Sequence, residues 1–251
     1  MTRRPGELSL WWDSLDEIPA VRPPLDAGTD VDVAIVGAGY TGLWTAYSLL
    51  ARDPGLRVLV IEAERCGFGA SGRNGGWASA LFAASDARLV REHGLDAARR
   101  MRRAMNESID EIARAADAEG IDCRMAKGGS IHAARSEAQL LRARAELDEA
   151  KALGVDEDLI WLDVGQAAER LGASELYGAT FTPHCAAIDP ARLAVGLAAA
   201  AERRGARIVE GTTASAIRPG SSTRRPSVET ERGTVTADVV VRATESWSSQ
   251  I

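Results

Sequence analysis

At 251 residues the chain is long enough for one large or two modest domains with a substantial apolar core. Its 45% hydrophobic and 26% charged residues are proportions of a soluble globular protein, and a net charge of −6 argues against nucleic acid as the main partner, since phosphate binding needs a basic surface. The longest apolar run, 193–201, has nine residues, short of the ~20 needed to span a bilayer.

Residues 1–30 carry Trp11, Trp12, Pro19, Pro23 and Pro24 without helical or strand periodicity, which predicts an extended arm anchored on the body by its Trp pair. Arg3 and Arg4 are followed by Asp13, Asp16 and Glu17 before an adequate apolar segment can form, so no secretory segment is expected. Cys66, Cys123 and Cys185 are too few and scattered for a zinc site or a disulfide framework. A reducing cytoplasm is the expected location, with all three thiols acting as small buried hydrophobes.

The stretch 31–76 reads as strand, glycine turn, helix, strand, acid. Residues 31–36 are an apolar run, Gly37-Ala38-Gly39-Tyr40-Thr41-Gly42 is a G-x-G-x-x-G turn, and a helical segment continues through Leu50. A second apolar run, 58–61, ends on Glu62. In a dinucleotide fold Gly37 permits the tight turn, Gly39 lets backbone approach a pyrophosphate, and Gly42 lets helix pack on strand. The helix N-terminus then offers unsatisfied N–H groups to the phosphates, and Glu62 is spaced to accept ribose hydroxyls. Residues 67–76 hold five glycines in ten positions. That density disfavours helix and strand but suits backbone lying against a ligand, with Ser71 and Asn74 as hydrogen-bonding groups and Arg73 as a positive charge.

From 86 to 120 the pattern is helical with a break at Gly94, and Ala98, Met101, Met105, Ile109, Ile112 and Ala116 define one buried stripe. The cluster Arg99, Arg100, Arg102 and Arg103 reads as a solvated face ion-paired with Glu107, Asp110 and Glu111. Residues 123–126 and 130–134 flank Gly128-Gly129 as an expected hairpin. Ser136 with Gln139 opens a helix that presents Leu140, Leu147 and Ala150 on one side and ends at Gly154. A short helix over 164–171 and an extended segment over 177–188 complete a middle α+β lobe, in which His132 and His184 have no telling partner in the sequence.

Asp189-Pro190 caps a helix that runs to Gly205, and 206–209 is a strand. Strands at 212–217, 228–231 and 234–236 form a meander, and 237–244 is a separate buried strand. The domain reading is an arm over 1–30, a nucleotide-binding domain over 31–85 and 188–251, and a lobe inserted over 86–187.

Together, GAGYTGLW at 37–44, Glu62, GFGASGRNGG at 67–76, IDPARL at 188–193 and VVVRATESW at 239–247 resemble the FAD-dependent amine and amino-acid oxidases of the D-amino-acid oxidase superfamily, in particular their gamma-glutamylputrescine oxidase-like branch. The resemblance implies an α/β fold: a Rossmann-like, glutathione-reductase-type FAD-binding domain with an inserted α+β substrate lobe, incomplete at its C-terminus. FAD is the implied cofactor. Gly37, Gly39, Tyr40, Thr41, Gly42, Glu62 and Ala63 would hold its ADP half, and Ser71, Arg73, Asn74, Gly75 and Gly76 would run along the pyrophosphate and ribityl chain. Ala214 would lie near adenine, and Ala243 and Thr244 near the cofactor backbone. Ser246 before Trp247 departs from the small residue, often glycine, usual in the family.

The implied activity is oxidation of the C–N bond of a small amine or amino acid by hydride transfer to flavin. The cofactor carries that chemistry, so no catalytic residue and no metal ligand is named. Family members are considerably longer, which gives a second expectation: an amino-terminal fragment or subunit that binds FAD weakly, or only with a complementary chain. An NAD-dependent dehydrogenase shares the glycine turn and the acid but leaves 67–76 unexplained.

Overall fold

A computed structural model describes residues 8–251, so residues 1–7 of the expected arm, with Arg3 and Arg4, lie outside the described residues. In chain order the elements are α1 (Leu10–Asp13), β1 (Thr29–Val36), α2 (Tyr40–Arg52), β2 (Val58–Ile61), β3 (Trp77–Ser79), α3 (Asp86–His93), α4 (Leu95–Glu119) and β4 (Ser130–Ala134). They continue as α5 (Glu137–Leu153), β5 (Ile160–Leu162), α6 (Val164–Leu171), β6 (Gly178–Thr182), β7 (Cys185–Ala187), α7 (Pro190–Arg203), β8 (Arg207–Val209), β9 (Ala214–Arg218), β10 (Ser227–Thr230) and β11 (Gly233–Arg242). No helix among the described residues is long and apolar enough to cross a membrane.

The chain divides into two compact units, Met1–Gly76 with Ala116–Cys123 and Asp189–Ile251, and Trp77–Ala115 with Arg124–Ile188. The first is built on a six-stranded sheet in the order β8-β2-β1-β11-β10-β9. Its first four strands run parallel, and β10 and β9 add an antiparallel edge. This is the arrangement that strands separated by crossover helices produce. Helices α2 and α7 pack on each other, α2 also on β1 and β2. Leu59, Ile61, Val209, Val228, Val235 and Ala237 form a buried apolar cluster closed by Leu25 from the arm.

The second unit has a three-stranded antiparallel sheet, β4-β6-β5, and the pair β3-β7. Because β3 pairs with β7, the chain changes units at Gly76, whereas the sequence suggested residue 85. Residues 116–123 group with the first unit through Arg203 and Arg204, which both bond Glu119, and through Gly196, where a Cβ would stand 2.4 Å from Ile121.

Several local expectations hold. Gly94 (φ +83°) separates α3 from α4, the Ser136 side chain accepts from the Gln139 N–H at the start of α5, and the Asp189 side chain accepts from the Arg192 N–H at the start of α7. Others change once the chain is packed. The expected hairpin does not form: β4 pairs with β6, and Ala126 bridges to Ala187. The expected strands 234–236 and 237–244 are one continuous strand, β11, which pairs antiparallel with β10 and parallel with β1. Nor is its second half buried, since Val239 is 53% exposed. Residues 10–13 of the arm form a helical turn capped by Ser9.

The stripe on α4 is rotated from the apolar prediction. Ala98, Ile109 and Ala116 are buried, but Met101 is exposed and Asn106 is buried instead. The cause is polar. Asn106 donates to Asp158 at 2.8 Å and Arg102 to Asp86 at 2.6 Å, so the basic cluster does not pair with Glu107, Asp110 and Glu111 as expected. Asp110 pairs with Lys127, and Glu111 with Arg114. His184 also gains a partner absent from its sequence neighbourhood, with Nε2 2.7 Å from Asp158 Oδ1.

The glycine turn is the least forgiving part of the fold. A Cβ on Gly42 would sit 1.9 Å from the Gly37 carbonyl oxygen, so Gly42→Ala should cost roughly 3 kcal/mol or more in urea unfolding followed by circular dichroism. Gly128→Ala, where a Cβ would meet nothing within 4 Å, should stay within about 0.5 kcal/mol of wild type.

Candidate functional site

Strands β1 and β2 are parallel and in register at Ile35 with Val60 and Val36 with Ile61, so both end at the same edge. There the Gly37 N–H donates to the Ile61 carbonyl at 2.8 Å, and the Ala243 N–H donates to the Val36 carbonyl at 2.8 Å. Gly37 has φ +103°, and a Cβ on it would lie 2.4 Å from the Ala243 carbonyl oxygen. Positive φ and close backbone approach both require glycine at this position.

Helix α2 begins directly after this turn. The first N–H groups of a helix lack intrahelical acceptors, and one of them, that of Tyr40, donates to Ser71 Oγ at 2.9 Å. The second glycine segment therefore reaches back to cap the first, and a Cβ on Gly39 would stand 3.0 Å from that hydroxyl. The Gly67 N–H also donates to the Ala38 carbonyl at 2.9 Å. Tyr40 is fixed from its other end, its hydroxyl donating to the Pro190 carbonyl at 2.9 Å; burial raises its pKa.

Glu62 stands at the end of β2. Its Oε2 accepts the Ala38 N–H at 2.8 Å and its Oε1 the Glu64 N–H at 3.0 Å. Each carboxylate oxygen keeps further acceptor capacity for a ribose hydroxyl. Desolvation raises the Glu62 pKa above its ordinary value, more than these two N–H donors lower it.

The remaining predicted residues divide. Asn74 Oδ1 accepts the Gly76 N–H at 2.9 Å, while its amide donates to the Ser71 carbonyl at 3.1 Å, so Asn74 shapes the loop. Arg73 folds back on its own segment, with its guanidinium 4.9 Å from the Phe68 ring centroid and Nε 3.3 Å from the Gly69 carbonyl. Thr244 is buried at the end of β11, with its hydroxyl 2.8 Å from that of Ser248. Ala63, Thr41 and Gly75 are exposed, and Ala214 is packed into the apolar cluster with Val209 and Val228.

Glu210 went unremarked in the sequence, although it ends β8 just as Glu62 ends β2. It is 2% exposed and accepts from the N–H groups of Cys66 (2.8 Å) and Arg22 (2.8 Å) and from the Arg22 guanidinium (3.2 Å). Burial opposes the Arg22 charge, but its bonds to Glu202 and the neighbouring Glu210 outweigh that and raise its pKa. Burial likewise pushes the Cys66 thiol up, and all three cysteines are buried and outside any disulfide.

The cradle fits a dinucleotide such as FAD. Glycines 37 and 42 are required by backbone packing on the inner side, whereas a Cβ on Gly75 would meet nothing within 4 Å, which leaves room on the outer side. A helix N-terminus and a strand-end acid would then offer donors toward phosphate and acceptors toward ribose.

The raised Glu62 pKa has a sign. A carboxyl whose folded pKa exceeds its unfolded value stabilises relative to a non-titrating residue below about pH 4.5 and loses that contribution as pH rises through the folded pKa. The unfolding free energy of wild type minus that of Glu62→Ala should therefore be larger at about pH 4.5 than at about pH 7.5 in urea titrations. An equal difference at both would mean an ordinary carboxyl.

The profile of the family described as DAO, FAD dependent oxidoreductase, matches residues 32–251. Gamma-glutamylputrescine oxidoreductase of Escherichia coli (strain K12) is 33% identical over 224 residues, covering 89% of this chain and 51% of that protein. Among solved structures, glycine oxidase from Geobacillus kaustophilus superposes with a TM-score of 0.67 at 30% identity, over 88% of this chain and 57% of that one. L-amino acid deaminase from Proteus myxofaciens, solved in complex with anthranilate, shares the fold with a TM-score of 0.72 at 21% identity, over 92% of this chain and 48% of that one. The chain spans about half the length of the curated relatives it matches. With the family profile extending from β1 to the last residue, the chain belongs to the FAD dependent oxidoreductase (DAO) family.

Proposed function

We propose that the chain binds FAD through its first unit and serves an oxidoreductase that acts on the C–N bond of a small amine or amino acid. The observation that carries this reading is the Ser71 cap on Tyr40, which joins the two glycine-rich segments at one helix N-terminus beside Glu62. An NAD-type site accounts for the first segment and the acid but gives no role to the second.

In this reading Gly37, Gly39, Tyr40, Thr41 and Gly42 receive the diphosphate, and Glu62 accepts the ribose hydroxyls beside Ala63. Ser71, Arg73, Asn74, Gly75 and Gly76 line the path away from the phosphates, with Ala214 toward adenine and Ala243 and Thr244 against the cofactor chain. When bound, FAD supplies the acceptor for the hydride leaving the substrate carbon. This chain's residues bind and orient, and none is assigned a proton-transfer step. The second unit is read as part of the substrate lobe.

A second reading is a chain that holds FAD weakly, or only with a complementary polypeptide. It is favoured by β11, where Val239 is 53% exposed although its register partner Val33 is 7% exposed. Strands in parallel pairing are ordinarily covered on both faces.

The visible spectrum of the purified chain distinguishes the two: bound flavin that bleaches with an amine or amino acid supports the enzyme, and a colourless protein inert to added FAD supports the fragment. Where FAD binds, Glu62→Ala should lower affinity about ten- to a hundred-fold by fluorescence titration, through loss of charge-assisted hydrogen bonds of ~1.5–3 kcal/mol. Unchanged affinity would remove Glu62 from the site.

A further inference from the structure

We infer that the N-terminal arm over residues 9–16 is a strap that holds the second glycine segment in its cofactor-receiving shape, with Trp11 as a positioning residue. This rests on the reading of the first unit as an FAD site. Trp11 Nε1 donates to the Asn74 carbonyl at 2.8 Å, and Ser9 Oγ donates to the Gly72 carbonyl at 3.1 Å. Two carbonyls in and just after the 3-10 turn at Ala70–Gly72 are thus bound by residues 63 positions earlier.

Trp12 fixes the same loop by shape. Its side chain is 2% exposed, and its Nε1 has no hydrogen-bond partner among the described residues. An indole is rarely buried with its N–H unpaired, so packing must compensate. A Cβ on Gly72 would stand 2.7 Å from Trp12 Nε1 and 2.3 Å from the Gly67 carbonyl oxygen. The absence of a side chain at Gly72 therefore makes room for the arm.

The arm is itself tied to α7. Ser14 Oγ donates to Asp189 Oδ2 at 3.3 Å, and the Arg192 guanidinium bonds the Ser14 carbonyl at 3.2 Å and Asp16 at 2.8 Å. The connection runs from α7 through the arm to the loop, and from the loop through Ser71 to the first N–H of α2. Holding a flexible loop in its bound shape lowers the ordering cost that binding would otherwise meet.

Trp11→Phe keeps the ring and removes only the N–H to Asn74, and Trp11→Ala removes both. In the full chain, Trp11→Phe should weaken FAD binding about two- to ten-fold by fluorescence titration, and Trp11→Ala more. Amide hydrogen exchange over 73–76 in the FAD-free protein should quicken by a similar factor. Arg207→Ala, which cuts the arm's exposed pair with Asp26, should alter neither readout. Wild-type FAD affinity and wild-type exchange in Trp11→Ala would overturn the strap, even if the unfolding midpoint falls, because a purely structural anchor predicts that pattern. Should the wild-type chain take up no FAD, the enzyme reading gives way to the second one, and exchange over 73–76 decides the strap alone: quickened exchange in Trp11→Phe supports it and unchanged exchange refutes it.

Discussion

Backbone against backbone, with no side chain between, is the constraint on which the first unit depends. The turn after β1 brings Gly37 and Gly42 together on one side and Gly37 and Ala243 on the other, so close that any Cβ would overlap a carbonyl oxygen. That approach lets α2 start immediately above the strand ends and lets β11 finish beside β1. A helix whose first N–H groups open over the ends of parallel strands is a ready receptor for a diphosphate.

The rest of the unit holds this turn in place with polar contacts that consume few free groups. Ser71 satisfies one orphan N–H of α2, Glu62 ties the turn to the residues after β2, and Glu210 binds the Cys66 N–H and the arm through Arg22. Buried carboxylates cost desolvation unless hydrogen-bonded, and both acids are bonded to main-chain N–H groups. Only Glu210 adds a guanidinium partner, whereas Glu62 keeps a raised pKa and acceptor capacity to spare. That contrast sets Glu210, held by the arm and the Cys66 N–H, apart from Glu62, the acid proposed to meet the ribose.

In the second unit polar partners override apolar periodicity. Helix α4 turns Asn106 inward and Met101 outward because Asp158 accepts from Asn106 while also meeting His184. Counting hydrophobic residues at helical spacing cannot anticipate this, since Asp158 lies 52 residues from Asn106. The expected hairpin at 123–134 failed for a related reason. The β4 strand was correctly located, but its pairing partner, β6, lies far along the chain, and strand propensity carries no information about which strand is the neighbour.

Spacing and composition alone established the strand–glycine–helix–strand–acid unit, the helix start at Asp189-Pro190 and the break at Gly94, whereas the flavoprotein family was legible only through the resemblance of whole motifs such as GFGASGRNGG at 67–76. Each of these is written in a few adjacent residues whose backbone demands are local: φ above zero at Gly37, a cap at Asp189, near-continuous apolar runs at β1 and β2. Tertiary structure alone decided that Ser71 caps Tyr40, that Arg73 stacks on Phe68, that Ala214 belongs to the apolar cluster, and that Trp11 and Ser9 hold the second glycine loop. Those contacts join segments separated by other elements or select one rotamer among several. Hydrogen bonding and close packing act through space, so their partners are set by the completed fold.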